Sequence, residues 1–229
     1  MTALITNATP PGRLLRLPGV YAPQSDTRLL LLALERELAP GARPRDLLDI
    51  GTGSGVLAVH AARLGARVTA VDIAWRAVLS ARANALLSGQ RLTVRRHDAV
   101  AALTARRYDL LISNPPYVPA PTPGPPVRGA ARAWDAGHDG RAVVDHLCAL
   151  APAALRSGGV LLLVHSALCG TDTTVRKLTE AGLRTSVSDR ARIPFGPVTR
   201  SRLGWLRNTG LLGPEEDREE VVVIRAERP

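Results

Sequence analysis

Cysteine, lysine, aromatic side chains and long apolar runs are all scarce in this 229-residue chain. Its two cysteines, Cys148 and Cys169, are too few for a disulfide framework or a four-cysteine zinc site. A chain of this length buries enough core to fold without either, and a reducing, cytoplasmic setting is the expectation. The leucine run from Leu29 to Leu32 sits in an apolar stretch far short of the roughly 20 residues a membrane span requires, so no membrane partner is expected. No Lys or Arg precedes Arg13, and Pro10-Pro11 stand where a signal peptide would be apolar, which argues against export. His60, His97, His138, His146 and His165 show no ligand spacing, so no metal centre is expected. No Gly-x-Ser-x-Gly elbow or Cys-His pair presents itself, which excludes the common hydrolase readings.

Lys177 is the single lysine among 30 basic residues, and the net charge is +10. The arginines are scattered, in nothing longer than pairs such as Arg95-Arg96 and Arg106-Arg107. A basic balance favours nucleic acid as a partner, but scattered charge reads first as a solvated surface. With 45 % apolar and 22 % charged residues the chain has the composition of an ordinary globular protein.

Strand and helix signals alternate. Helices are expected over 26–38, 56–64, 74–87, 140–155 and 173–181, the first capped by Ser25 or Asp26 and stopped by Pro40-Gly41, the second closed by Gly65. Strands are expected over 45–50, 67–72, 92–96, 108–112, 159–165, 185–189 and 220–225. The middle strands are nearly continuous Val, Leu and Ile, which marks a parallel sheet buried on both faces. The expected fold class is α/β: a Rossmann-like, doubly wound, mostly parallel seven-stranded sheet with helices on both faces. One domain over 21–229 would carry it, after an N-terminal extension over 1–20. Five prolines between Pro119 and Pro126 exclude helix and interior strand, so 119–133 reads as a mobile functional loop. Trp75, Trp134 and Trp205 are far apart in sequence and read as packing residues.

Doubly wound sheets bind ligands beyond the carboxyl ends of their strands. The first strand runs into Asp49-Ile50-Gly51-Thr52-Gly53-Ser54-Gly55, where glycines let the backbone turn sharply and approach a ligand. Val56 stands where a dinucleotide fingerprint needs its third glycine, and no Lys-Ser/Thr follows to make a phosphate-cradling loop. Asp72 ends the second strand, where an acid can accept from both ribose hydroxyls. Asp98 ends the third, where a carboxylate can take the exocyclic amine of adenine. Either aspartate alone reads equally well as a turn former. Three features at successive strand ends describe an adenosine pocket without a pyrophosphate subsite.

In these residues the chain resembles the class I S-adenosylmethionine-dependent methyltransferases. The resemblance implies that Gly51, Gly53 and Gly55 lie along the methionine part of S-adenosyl-L-methionine, that Asp72 holds its ribose and Asp98 its adenine, with Ile73 against the adenine face. Asp49, Thr52, Ala99 and Asn114 complete the expected cofactor set. The fourth strand ends in Ser113-Asn114-Pro115-Pro116-Tyr117. Two prolines remove the backbone donors at 115 and 116, leaving two acceptors, the Asn114 side-chain oxygen and the Pro115 carbonyl. Those acceptors suit a planar NH2 group, and Tyr117 offers it a flat face, so Asn114, Pro115 and Tyr117 are the expected catalytic residues.

In the methyltransferases that the chain resembles, Asn-Pro-Pro-Tyr marks transfer to a nitrogen conjugated to a planar system, either a glutamine amide or a nucleobase amine, so the resemblance implies an acceptor of that kind. Val20-Tyr21-Ala22-Pro23, Asp26-Thr27, the stretch from Asp72 through Asn84-Ala85, and Trp134, Gly137, Gly140-Arg141 and Asp145 resemble the short HemK-like glutamine methyltransferases. That resemblance implies a protein substrate, the Gly-Gly-Gln loop of a peptide-chain release factor, and brings in a small zinc-binding activator protein as a candidate partner. Methylation of adenine N6 or an rRNA base is the second reading, and the positive charge favours it.

Overall fold

The computed structural model describes residues 14–38 and 45–229. The expected helix stop at Pro40-Gly41 and the first thirteen residues of the extension lie outside the described residues. The apolar runs form strands β1 (Asp46–Ile50), β2 (Arg67–Asp72), β3 (Thr93–Arg96), β4 (Tyr108–Ser113), β5 (Leu155–Ser166), β6 (Arg184–Pro194) and β7 (Arg218–Glu227). Between them run α1 (Ser25–Glu37), α2 (Val56–Arg63), α3 (Trp75–Leu87), α4 (Ala99–Ala105), α5 (Ala142–Ala154), α6 (Thr171–Glu180), α7 (Pro197–Ser201) and α8 (Leu203–Asn208). The strands make one seven-stranded sheet in the order β3-β2-β1-β4-β5-β7-β6. All pairings are parallel except those of β7, which is antiparallel to both β5 and β6. The α/β, mostly parallel fold read from the sequence is the fold observed.

Consecutive strand residues feed opposite layers, as the two-residue period of a strand requires. Leu47, Leu110, Ile112 and Leu162 pack with α1, α2 and α3, whereas Leu48, Leu111, Leu161 and Leu163 pack with α4, α5 and α6. The strand order reverses between β1 and β4, so their carboxyl ends form the switch point where a ligand is expected. The opposite end is closed by charge. Arg156 reaches Asp46 and Asp109, both at 2.8 Å, and Arg67 reaches Asp46 at 2.8 Å. These guanidinium bonds hold the Asp46 carboxyl down to about 2.

The sequence missed α4, whose seven residues show only Ala102 and Leu103 to the core, and the pair α7–α8 inside the β6–β7 connection. β5 starts at Leu155 and displaces the expected end of α5. β6 continues to Pro194 because it stays paired with β7 as far as Pro194 opposite Arg218, with exposed positions alternating with half-buried ones along the sheet edge. Neither Ser25 nor Asp26 caps α1. Gln24 occupies the cap position with no side-chain bond, and the Asp26 carboxylate serves the end of β4.

Candidate active site

The carboxyl ends of β1 to β4 open into one cleft of about 640 Å3. The turn after β1 forms its floor. Gly51 and Gly53 have φ of +72° and +55°, a region that L side chains rarely adopt. A Cβ at Gly51 would meet nothing within 4 Å, so the missing side chain leaves room for a ligand. Gly55 does something else. It does not border the cleft, and a Cβ there would lie 2.9 Å from Ala81 of α3, so glycine at 55 lets α3 pack against the turn. Asp49 is fully buried behind the turn, away from the cleft, and accepts the Thr52 hydroxyl at 2.6 Å. Its other oxygen has no hydrogen-bond partner among the described residues. Burial first, and the charge of Asp72 in addition, push the Asp49 carboxyl up to about 7.

Asp72 accepts the Gly53 N–H at 3.0 Å with one oxygen and the Ala74 N–H at 2.9 Å with the other. Each oxygen keeps a lone pair for a further donor. Burial raises its carboxyl above the usual range against the pull of those two N–H groups. Asp98 caps α4 by accepting the Ala101 N–H at 2.7 Å through Oδ1, which leaves Oδ2. Ile73 is 43 % exposed and borders the cleft with Ala99, an apolar surface awaiting a planar group. A glycine turn with open space above it, an acid with spare acceptors and an uncovered isoleucine fit the adenosine and methionine parts of S-adenosyl-L-methionine. Trp75, expected to pack, is instead exposed on the cleft rim with Arg76 5.2 Å above its ring. Trp134 also borders the cleft.

At the chemical end, β4 delivers Asn114 and Pro115 into the same cleft. The Asn114 Nδ2 donates to Asp26 Oδ2 at 2.9 Å and to Thr27 Oγ1 at 3.2 Å. Its Oδ1 and the Pro115 carbonyl accept no hydrogen bond among the described residues. Tyr117 borders the cleft while its hydroxyl donates to Asp26 Oδ2 at 2.9 Å. Burial, and then the Asp26 charge, raise the Tyr117 phenol well above its ordinary value, so it stays a donor. Asp26 and Thr27 line the cleft and bond Asn114, and sequence reasoning left them out of the site. Their acid–hydroxyl pairing was visible, but their partner lies 88 residues away.

Two further supports were also missed. Asn84 of α3 is buried and clasps the N-terminal segment, donating to the Leu15 carbonyl and accepting the Leu15 N–H, both at 2.8 Å, while also donating to the Ser54 carbonyl of the glycine turn. Arg202, in the β6–β7 connection, ties down the start of the proline-rich loop by donating to the Pro119 carbonyl at 3.0 Å and Asp135 at 2.6 Å.

Strand order, a nucleotide turn without a pyrophosphate subsite, and paired acceptors at the switch point together define a class I S-adenosylmethionine-dependent methyltransferase. The methyltransferase small domain model matches residues 12–122. A protein of Methanocaldococcus jannaschii, provisionally named a protein N5-glutamine methyltransferase, is 32 % identical over 179 residues, covering 78 % of this chain and 88 % of that one. The release factor glutamine methyltransferase of Deinococcus radiodurans is 44 % identical over 148 residues, covering 62 % of this chain; the match spans 52 % of that protein, about half its length. The Mtq2–Trm112 complex of E. cuniculi, described as responsible for methylation of the eRF1 translation termination factor, superposes with a TM-score of 0.62 at 25 % identity, over 92 % of this chain and 99 % of that one. The chain belongs to the HemK-like protein N5-glutamine methyltransferase family.

Proposed function

We propose that this enzyme methylates the side-chain amide nitrogen of the glutamine in the Gly-Gly-Gln loop of a peptide-chain release factor. One observation carries the reading: Asn114 and Pro115 offer two free acceptors from one stiff turn, in the cleft that also holds the glycine turn and Asp72. The names of the bacterial relative and of the E. cuniculi complex support the acceptor. A small activator protein is a candidate partner on the precedent of that complex. No helix among the described residues is long and apolar enough to cross a membrane, and the cytoplasm is where such a substrate would be met.

S-adenosyl-L-methionine supplies the electrophilic methyl group when bound. Gly51, Thr52 and Gly53 would line its methionine part, with Asp49 bracing Thr52 from behind. Asp72 would accept from the ribose hydroxyls, Ile73 and Ala99 would border the adenine, and Asp98 would take the exocyclic amine. An amide nitrogen is a poor nucleophile because its lone pair is delocalised. Asn114 Oδ1 and the Pro115 carbonyl would each accept one of its N–H groups, with Tyr117 alongside. Held in this way, the nitrogen would be turned toward the part of the cleft lined by Gly51, Thr52 and Gly53, as the positioning of reacting groups requires. The chain need supply no base, because the nitrogen becomes acidic once methylated and releases its proton to solvent.

The net charge of +10 favours a second reading, a nucleobase amine in rRNA or DNA as acceptor. Incubation with labelled S-adenosylmethionine and a panel of release factor, rRNA and DNA separates the two. Label confined to the Gly-Gly-Gln glutamine is the expected outcome. Label in nucleic acid with none in the release factor overturns the acceptor.

A further inference from the structure

Asp26 is buried to 1 % exposure, and five hydrogen bonds converge on its carboxylate. Oδ1 accepts the Thr27 N–H at 2.6 Å and the Thr27 hydroxyl at 3.2 Å. Oδ2 accepts Asn114 Nδ2 and the Tyr117 hydroxyl, both at 2.9 Å, and the Tyr21 hydroxyl at 3.3 Å. Of these groups only Asn114 belongs to the cofactor set expected from the sequence.

The polarity of this cluster is determined by chemistry. A carboxylate only accepts, whereas a primary amide has a donating end and an accepting end. Facing Asp26, the Asn114 side chain must present its NH2. The Thr27 hydroxyl spends its proton on Asp26 Oδ1, so its own oxygen is available to accept the second N–H of Asn114. Both hydrogens of Nδ2 are then engaged. The flipped amide would set its oxygen against a buried carboxylate and leave the NH2 to face an incoming donor.

We propose that Asp26, assisted by Thr27, is a positioning residue for methyl transfer: it fixes the Asn114 amide so that Oδ1, and not Nδ2, meets the acceptor NH2 group. This rests on the function proposed above for Asn114. In this role Asp26, which borders the cleft, acts through Asn114. The tyrosine hydroxyls brace the carboxylate so that it cannot rotate away.

Asp26→Asn tests this with little change of shape. The variant side chain has one NH2 end, which must oppose either the immovable Thr27 N–H or the Asn114 amide. Asn114 can flip and the backbone cannot, so Asn114 turns its oxygen away from the cleft. The expected result is a fall in kcat of about 10- to 100-fold, the cost of a misplaced reacting group, with cofactor affinity and melting temperature near wild type. Adding Asn114→Asp to Asp26→Asn reverses donor and acceptor, returns an oxygen to the cleft, and should recover at least part of the lost kcat. A residue that merely supported the fold would show no such recovery. Unchanged kcat in Asp26→Asn, or a double variant no better than the single one, overturns the proposal. Rates are read on whichever member of the release factor, rRNA and DNA panel the wild type modifies, so a wrong acceptor is distinguishable from a wrong role for Asp26. A readout independent of activity is the exchange of the Asn114 side-chain NH2 by NMR. It should be slowed in the wild type and lose that protection in Asp26→Asn. Exchange as fast as that of an exposed amide in the wild type overturns the proposal even if no acceptor is modified.

Discussion

Asp72 spends one lone pair of each carboxylate oxygen on a backbone N–H, so it is aimed before any ligand arrives. Asp72→Ala removes a preorganised charged acceptor worth about 1.5–3 kcal/mol, and cofactor affinity should fall about ten- to a hundredfold in a protein that remains folded. Calorimetric titration with S-adenosylmethionine checks this, and unchanged affinity would dismiss the pocket assignment. Asp49 predicts an effect of opposite sense. Its folded pKa of about 7 lies above the ordinary 3.8, so the unfolded chain releases its proton first and stability declines as pH rises from about 4 to 7. Asp49→Asn keeps the acceptor for Thr52 and cannot ionise. It should stabilise the ligand-free protein by about 1–3 kcal/mol at pH 8 and make no difference below pH 4, where both side chains are neutral. Melting curves at the two pH values decide the matter; a gain independent of pH would mean that Asp49 is not the titrating group.

At the scale of elements, the Asn-Pro-Pro-Tyr turn is held by the start of α5. Gly140 has φ of +71°, and a Cβ there would stand 2.3 Å from the Tyr117 carbonyl and 2.9 Å from Cys169 Sγ. Neither the backbone oxygen nor the buried sulfur can give way, and the Cys169 thiol itself donates to that carbonyl at 2.9 Å. Gly140→Ala should therefore cost about 2–5 kcal/mol, combining backbone strain and overpacking, and should displace the turn. Denaturant unfolding measures the loss; wild-type stability would show that the contact relaxes freely. The central strands β1, β4 and β5 were legible in the sequence because buried parallel strands are nearly unbroken apolar runs. Their ends, and the short helices α4, α7 and α8, were not, since a few residues carry too little periodicity to mark an end or a short helix. In the site, Gly51, Gly53, Asp72, Asp98, Asn114 and Pro115 were legible because chain order puts them at successive strand ends. Asp26 and Thr27 were not, because which acid turns toward Asn114 is settled by packing of α1 against the sheet. Asn84 carried an unused signal: an asparagine inside a helix pays for lost helix propensity by bonding elsewhere, here to Leu15 and Ser54.

At the scale of the whole molecule, the groups that line the candidate site gather at one end of the sheet. The amino ends of β1 and β4 are locked by Asp46, Asp109 and Arg156, while Gly51, Gly53, Asp72, Asp98, Asn114 and Pro115 border the cleft at the carboxyl ends. The N-terminal segment, the proline-rich loop and the β6–β7 connection all converge on that end, through Asn84 and Arg202. In the proposed function, cofactor binding would be served by the turns after β1, β2 and β3 and acceptor binding by the turn after β4. Asn114→Ala tests that separation most directly, by measuring two quantities on one variant: affinity for S-adenosylmethionine, and the rate of methylation of the Gly-Gly-Gln glutamine located by mass spectrometry. The account predicts near-normal affinity and a rate lower by on the order of 10²–10³, the typical loss for one preorganised contact. Full activity of Asn114→Ala on the substrate that the wild type modifies would contradict it.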